Sequence, residues 1–314
     1  MYEIKNKNIL VTGGTGQIGS FLTEFLVADE ANVTVLGRKT SNLKEIKPLV
    51  ESNKIKFIEC DLINEKNLES IKTKLENIDY LLHFSSEMTE LFSTLLKNAM
   101  HSVDLNLRSI LQLLNFIPHL DGMLYASSLS AYGIPKYLPI DEKCPTNPIT
   151  FYGCGKLGAE KYLKLFSNTH SVPLTIMRYS SVYGPRNRTK RALPTFINLA
   201  LEDKQITLHG NGDAFCDFIY ISDVVDATKS GMLTNQSEVY NIGSGVKCTV
   251  LQLAQKIIEI TNSKSRIKYS NGSSSFNYVF DISKAKNNLG FFPKISIEEG
   301  LAKEIAWHKK NLRN

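Results

Sequence analysis

The sequence predicts an α/β chain: a doubly wound parallel sheet with a smaller, partly interleaved C-terminal domain. Three observations carry this expectation. Short β-branched runs alternate with longer helical patterns through the first half of the chain. A glycine-rich turn stands between the first strand and the first helix. After about residue 180 the texture changes, with longer stretches rich in Gly, Asn, Ser and charge.

Residues 8–12 (NILVT) read as the first strand, and 18–28 (IGSFLTEFLVA) carry apolar positions at helical spacing. Residues 33–36 (VTVL), 55–58 (IKFI) and 79–84 (DYLLHF) read as the next three strands. A helix is expected over 103–117, up to Pro118, then a fifth strand at 122–127, a long helix at 152–168 and a sixth strand at 173–178. Strands separated by helices of this length imply βαβ units, right-handed crossovers and helices on both faces of the sheet. Beyond residue 180 the segments 180–192, 208–217 and 270–281 read as loops, and helical patterns recur at 194–203, 222–233, 250–261 and 296–310. The expected division is 1–180, with return segments from about 213–245, and a smaller domain over 181–314.

Composition closes several doors. Of 314 residues, 42% are hydrophobic and 22% charged, which suits a soluble globular protein. The net charge of +6 is mild; it accords with an anionic small-molecule ligand and does not indicate a nucleic-acid binder. No apolar run approaches the ~18 residues of a membrane span. The N-terminal apolar run is too short for a signal-peptide core. Cys60, Cys144, Cys154, Cys216 and Cys248 are odd in number and form no CxxC pair, so a reduced, cytoplasmic chain is expected. The histidines form no HExxH, and no metal is expected.

Residues 12–19 are Thr-Gly-Gly-Thr-Gly-Gln-Ile-Gly. Gly14, Gly16 and Gly19 satisfy G-x-G-x-x-G, and Gly13, Gly16 and Gly19 satisfy the related G-x-x-G-x-x-G. Such a turn lets backbone approach a pyrophosphate and lets helix pack close on strand, while the helix N-terminus offers its N–H groups to phosphate. The alternative is a glycine-rich turn without a ligand; the strand–turn–helix context argues against it. An acidic residue at the end of the second strand takes the adenosine ribose hydroxyls of NAD. Here Gly37 stands in that place and Arg38 follows. A guanidinium there can hold a 2′-phosphate in bidentate fashion, which favours NADP(H) over NAD(H); the alternative is a solvated loop charge.

Tyr152 and Lys156 lie four apart at the start of a helical pattern and share one face. Free tyrosine, with a pKa of about 10, is a poor base at neutral pH. A nearby ammonium stabilises the phenolate and makes Tyr152 a credible general acid/base for alcohol–ketone interconversion. Ser127 and Ser128 end the fifth strand, and the carboxyl ends of parallel strands are where ligands sit.

With these residues in place the chain resembles an extended short-chain dehydrogenase/reductase, of the NAD-dependent epimerase/dehydratase family that modifies nucleotide-sugars. The resemblance runs nearly end to end, through TGGTGQIG (12–19), Cys60-Asp61-Leu62, HFSS (83–86), DLNLRS around Asn106, YASSLSAYG (125–133), DEKCPTNPITFYGCGK (141–156), RYSSVYGPR (178–186), DFIYISDVVDA (217–227), YNIGSG (240–245) and DISKAKNNLG (281–290). It implies a Rossmann-type sheet and a second domain that binds substrate. It implies Ser128, Tyr152 and Lys156 as the catalytic set. It implies cofactor contacts from Gly13, Gly16, Gln17, Ile18, Gly19, Arg38, Asp61, Leu62, Phe84, Ser85, Ser86 and Asn106, together with Tyr152 and Lys156. His83 is expected to be a packed residue at a strand end. The resemblance also implies a homodimer formed through the helix bearing the tyrosine and the long helix before it.

Departures from the family pattern bear on the reaction. Relatives that dehydrate or decarboxylate carry an acid one or two places after the catalytic Ser/Thr; here those places hold Leu129 and Ser130. Substrate binding is expected at Ser128, Ser181, Arg186 and Cys216. Ser181 stands where many relatives have asparagine, Cys216 where an arginine often precedes Asp217-Phe218, and 271–277 lacks a common arginine. Arg186, Arg188, Lys190 and Arg191 could replace the lost charge, or form a solvated basic loop. Three readings stand: an epimerase acting through a transient keto-sugar, an NADPH-dependent keto-sugar reductase, and a cofactor-sensing protein without catalysis.

Overall fold

A computed structural model describes residues 4–87, 94–187, 189, 191–234, 236–272 and 277–311. The elements in chain order are β1 (Asn8–Thr12), α1 (Gln17–Ala28), β2 (Asn32–Gly37), α2 (Lys47–Glu51), β3 (Ile55–Glu59), α3 (Glu65–Ser70), β4 (Tyr80–His83), α4 (Leu96–Val103), α5 (Ser109–Leu114), β5 (Gly122–Ser128), α6 (Phe151–His170) and β6 (Leu174–Tyr179). They continue with β7 (Ser181–Tyr183), α7 (Ala192–Leu201), β8 (Ile206–His209), β9 (Phe215–Tyr220), α8 (Ile221–Met232), β10 (Glu238–Ile242), β11 (Lys247–Thr249), α9 (Val250–Thr261), β12 (Ile267–Ser270), α10 (Ser283–Leu289) and α11 (Ile297–Asn311).

Two compact units emerge. The first comprises Met1–Ile134, Glu142–Tyr179 and Val225–Tyr240; the second comprises Pro135–Asp141, Ser180–Val224 and Asn241–Asn314. The chain's return to the first unit is thus narrower than the 213–245 expected from sequence, and β9 stays with the second unit.

The first unit is built on a seven-stranded sheet in the order β10-β6-β5-β4-β1-β2-β3. β1 pairs in parallel with β2 and β4, β2 with β3, β4 with β5, and β5 with β6. The strand order reverses direction between β1 and β4, which is the switch point where doubly wound sheets bind ligands. Continuous apolar runs explain why these strands are central: every residue of β6 is buried, as are all but the last of β5. On one face Leu10, Leu81 and Leu174 pack with Leu113, Ala159 and Leu163 from the helices. Each such aliphatic side chain contributes about 1.5–3 kcal/mol on burial.

The helix expected over 103–117 is a π-helical turn at Asp104–Arg108 followed by α5, which ends at Leu114, and α4 precedes it from Leu96. Periodicity could not show the widened turn, which carries Asn106 and its hydrogen bonds to Glu87. The expected loops at 180–192 and 208–217 also contain β7 and parts of β8 and β9, which are too short to show alternation. In 270–281, residues 273–276 lie outside the described residues.

The second unit holds a three-stranded sheet, β11-β9-β7, and a two-stranded one, β12-β8. Helices α7, α9 and α11 pack on one another. A capping box at Thr249 and Gln252 starts α9. Buried Asp217 fixes β9 by accepting hydrogen bonds from the Ser244, Gly245 and Phe280 amides. Among the described residues no helix is long and apolar enough to cross a membrane.

Candidate active site

The glycine turn leaves β1 at Thr12 and enters α1 at Gln17. Gly13 has φ +69°, and a Cβ there would lie 2.6 Å from the Phe84 carbonyl carbon and the Ser85 nitrogen. A Cβ at Gly19 would lie 2.2 Å from the Gly13 oxygen. These two positions admit glycine alone, for a left-handed turn and for close contact of the helix with that turn respectively. Gly16 caps α1 without a side-chain hydrogen bond, which puts the positive end of the helix dipole beside the bare turn. Bare backbone at Gly13, Gly14, Gly16 and Gly19 beside a helix N-terminus fits the diphosphate of a dinucleotide.

The end of β4 is tied to this turn. Thr12 Oγ1 lies 2.9 Å from His83 Nδ1 and accepts the Ser85 N–H at 3.2 Å. His83 is fully buried, and burial first, with the Lys156 charge second, pulls it down to about 3. It is a neutral packed ring against Tyr125, as expected for a strand-end residue. Phe84 stacks on Tyr179 at 6.4 Å; Ser85 is half-buried and Ser86 exposed. Asn106, fully buried in the π-helical turn, accepts the Glu87 N–H and donates to the Glu87 carbonyl, so it holds the segment following Ser86. Arg38, just past β2, is half-exposed and places its guanidinium 3.9 Å from the Glu87 carboxylate. Asp61, beyond β3, caps its own turn through the Ile63 N–H, and Leu62 is buried in the apolar core.

Thr150 starts α6: its Oγ1 accepts the Gly153 N–H at 3.0 Å, which sets Tyr152 in the first turn. Lys156 follows one turn later and is 1% exposed. Its Nζ donates to the Ala126 carbonyl at 2.6 Å and stands 4.8 Å from the Tyr125 ring and 5.8 Å from the Tyr152 ring. Burial draws Lys156 down to about 7, against the supporting charge of Glu160. Of the serine pair, Ser127 donates to Glu160 at 2.5 Å. Ser128, half-buried at the end of β5, accepts the Ser130 N–H at 3.1 Å. Sequence reasoning missed the buried Glu160–Arg178 pair; the signal was a glutamate four residues after Lys156 and an arginine inside an apolar strand.

In the second unit, Ser181 on β7 favours the thiolate of Cys216 on β9. Burial pushes that thiol up, and Arg191, preceding α7, opposes the rise through its charge. Ser181, Cys216 and Arg191 therefore form one group. Arg186 sits on the loop before it in a left-handed conformation, φ 68°. Arg188 and Lys190 lie outside the described residues.

A model of the NAD dependent epimerase/dehydratase family matches residues 9–243. A Methanocaldococcus jannaschii protein named "Putative UDP-glucose 4-epimerase" is 31% identical over 97% of this chain and 99% of its own. The mouse (Mus musculus) dTDP-D-glucose 4,6-dehydratase is 28% identical over 98% of this chain and 90% of its own. The crystal structure of UDP-glucuronic acid 4-epimerase from Bacillus cereus, in complex with UDP-glucuronic acid and NAD, superposes with a TM-score of 0.87 at 28% identity, covering 97% of this chain and 99% of that one.

Proposed function

The chain belongs to the NAD dependent epimerase/dehydratase family, and on that premise we propose that it is a nucleotide-sugar epimerase acting through a transient keto-sugar, with Tyr152 as general acid/base. The observation that carries this reading is the dry Lys156 ammonium held against Ala126 and 5.8 Å from the Tyr152 ring. A cation there lowers the cost of a phenolate. Tyr152 takes the proton of the sugar hydroxyl as the carbinol becomes a ketone, and gives it back when the ketone is reduced. The Ser128 hydroxyl orients the same oxygen. When bound, the nicotinamide supplies the acceptor and donor of the carbon's hydrogen. The turn at Gly13, Gly16, Gln17, Ile18 and Gly19 would hold its diphosphate, and the residues at the ends of β2, β3 and β4 its adenosine and ribose. Leu129 and Ser130 carry no acid beside Ser128, which argues against dehydratase and decarboxylase chemistry.

For the substrate, the Ser181–Cys216–Arg191 group supports an anionic ligand such as a sugar diphosphate, with Arg186 adding charge. A homodimer accords with the exposed Leu96 (79%) and Met100 (63%) on α4 and Tyr162 and Leu165 on α6, two helices that pack together. Free cysteines throughout accord with a cytoplasmic protein.

Arg38 supports a second reading, an NADPH-dependent keto-sugar reductase: its half-exposed guanidinium past β2 suits a 2′-phosphate, so NADP(H) is preferred over NAD(H) in either case. Incubating the protein with a panel of nucleotide-sugars and keto-sugars, with and without NADPH, separates the two. Epimerisation converts a nucleotide-sugar with no net change in reduced-nicotinamide absorbance; reduction consumes it. No conversion of any panel member, with or without NADPH, overturns both readings and leaves the cofactor-sensing one.

A further inference from the structure

One buried charged cluster beneath Tyr152 and Lys156 has no part in the chemistry above. Glu160 lies one helical turn beyond Lys156 on α6 and is 1% exposed. Arg178 of β6 grips it twice, Nε to Oε1 at 2.9 Å and Nη2 to Oε2 at 2.6 Å. The Ser127 hydroxyl donates to Oε1 at 2.5 Å. Arg178 also stands 4.6 Å from the Tyr132 ring. Taking both ions out of water is costly, and an apolar pair of the same volume often serves a core as well. Packing alone therefore does not account for the cluster.

Its position does. Lys156 is buried, and a buried ammonium without a counter-charge gives up its proton. The other groups facing it provide no such charge. From β4 comes His83, held neutral by burial; from β5, Tyr125, whose phenol burial keeps protonated. The packing of α6 on its neighbours brings only uncharged groups to the two glycines that flank Lys156 in sequence, Ser102 and Asn106 at Gly155 and the Ser130 carbonyl at Gly153. On α6 itself are Tyr152 and Glu160, and from β6 comes Arg178, a cation already paired. Among the described residues Glu160 is the group whose charge supports the Lys156 ammonium.

Building on the roles proposed for Tyr152 and Lys156, we propose that Glu160 is a positioning residue: clamped by Arg178 and Ser127, its carboxylate keeps Lys156 a cation in a dry site and so keeps Tyr152 able to release its proton. The fork of Arg178 fixes the carboxylate plane, and Ser127 occupies the oxygen that would otherwise turn away.

The test reads Lys156 directly. The whole protein is prepared with isotope-labelled lysine ε-carbons, Lys156→Met identifies the signal, and its titration is followed by NMR without substrate. The Lys156 midpoint, about 7 in the parent, is expected to fall by roughly one pH unit or more in Glu160→Gln. A smaller fall is expected in Glu160→Gln/Arg178→Met, which removes both buried charges together and protects against a variant that fails to fold. A midpoint at the parental value in every variant that folds overturns the proposal. In turnover assays the alkaline limb of kcat moves down with the midpoint while KM stays put; a lower kcat with an unmoved limb marks a merely structural role and also overturns it. Because the NMR titration needs no turnover, failure to convert any nucleotide-sugar would overturn the proposed function while the Lys156 shift still stood.

Discussion

The candidate site residues of the two units differ in exposure. In the first, Lys156, Glu160, Arg178, His83 and Asn106 are each less than a tenth exposed, and each bond named for them runs to a strand end, a neighbouring helix or a fixed backbone group. In the second, Arg191 is exposed, Cys216 and Ser181 are half-buried on short strands, and Arg186 sits on a loop. Buried polar groups are costly unless fully satisfied, so an arrangement of them is rigid and tolerates little change. Exposed charges on short elements can be exchanged at small cost. On the proposed function, the buried set of the first unit would hold the chemistry, and the exposed group of the second would be where substrate choice varies.

Tyr152→Phe should open the contrast widest. Removing one hydroxyl from a preorganised site is expected to lower kcat by about 10²–10⁴ while the cofactor Kd is unchanged. Steady-state rates and a fluorescence titration of bound cofactor check this together; undiminished turnover would refute Tyr152 as the base. The same site sets the pH dependence. Lys156 loses its proton as pH rises through about 7, so kcat should decline on the alkaline side of that value, far below an ordinary lysine. A pH–rate profile flat to pH 9 would show that the ammonium is not needed.

Gly13→Ala is the backbone counterpart. A left-handed φ for alanine costs about 1–3 kcal/mol, before the contact with Phe84 and Ser85 is counted. The expected outcome is a lower Tm and at least tenfold weaker cofactor binding; parental values for both would mean the turn has slack it does not show.

How much of this could be read from the chain follows the same division. The alternation of strands and helices, the glycine turn and the Tyr152–Lys156 spacing are local patterns, and β1, β5 and α6 lie within a residue or two of where periodicity places them. Glu160 and Arg178 are 18 residues apart and meet only because α6 packs on β6. Asn106, in the π-helical turn, bonds Glu87, which is 19 residues away. In the second unit β7 and β11 have three residues each, too few for a period of two to be visible. Non-local pairing hides what local pattern cannot encode.

Arg38→Ala probes an exposed cation within the first unit. If Arg38 holds a 2′-phosphate, its loss should weaken NADP(H) by about tenfold or more and leave NAD(H) unchanged, since hydrogen bonds to charged groups are worth about 1.5–3 kcal/mol. Glu87 lies 3.9 Å from the guanidinium and competes for it. Glu87→Gln should therefore tighten NADP(H) slightly. Calorimetry on both cofactors decides the matter, and tighter NAD(H) binding in the parent would reverse the assigned preference.

The smallest effect is expected in the second unit, at Arg191. Its charge acts on the Cys216 thiol, which Ser181 also contacts, so a negative group placed there would meet one cation and one hydroxyl. An exposed ion pair of this kind is worth about 1 kcal/mol or less. Arg191→Ala should accordingly raise the KM for a sugar diphosphate by about fivefold, with kcat and cofactor Kd unmoved, and Arg191→Lys should recover part of the loss because point charge survives where the bidentate fork does not. The salt dependence of KM should weaken in Arg191→Ala, since an exposed charge is screened and a missing one cannot be. An unchanged KM in Arg191→Ala would make this arginine a solvated charge at the start of α7, and recognition of the anion would then fall to Arg186 and the hydroxyl of Ser181.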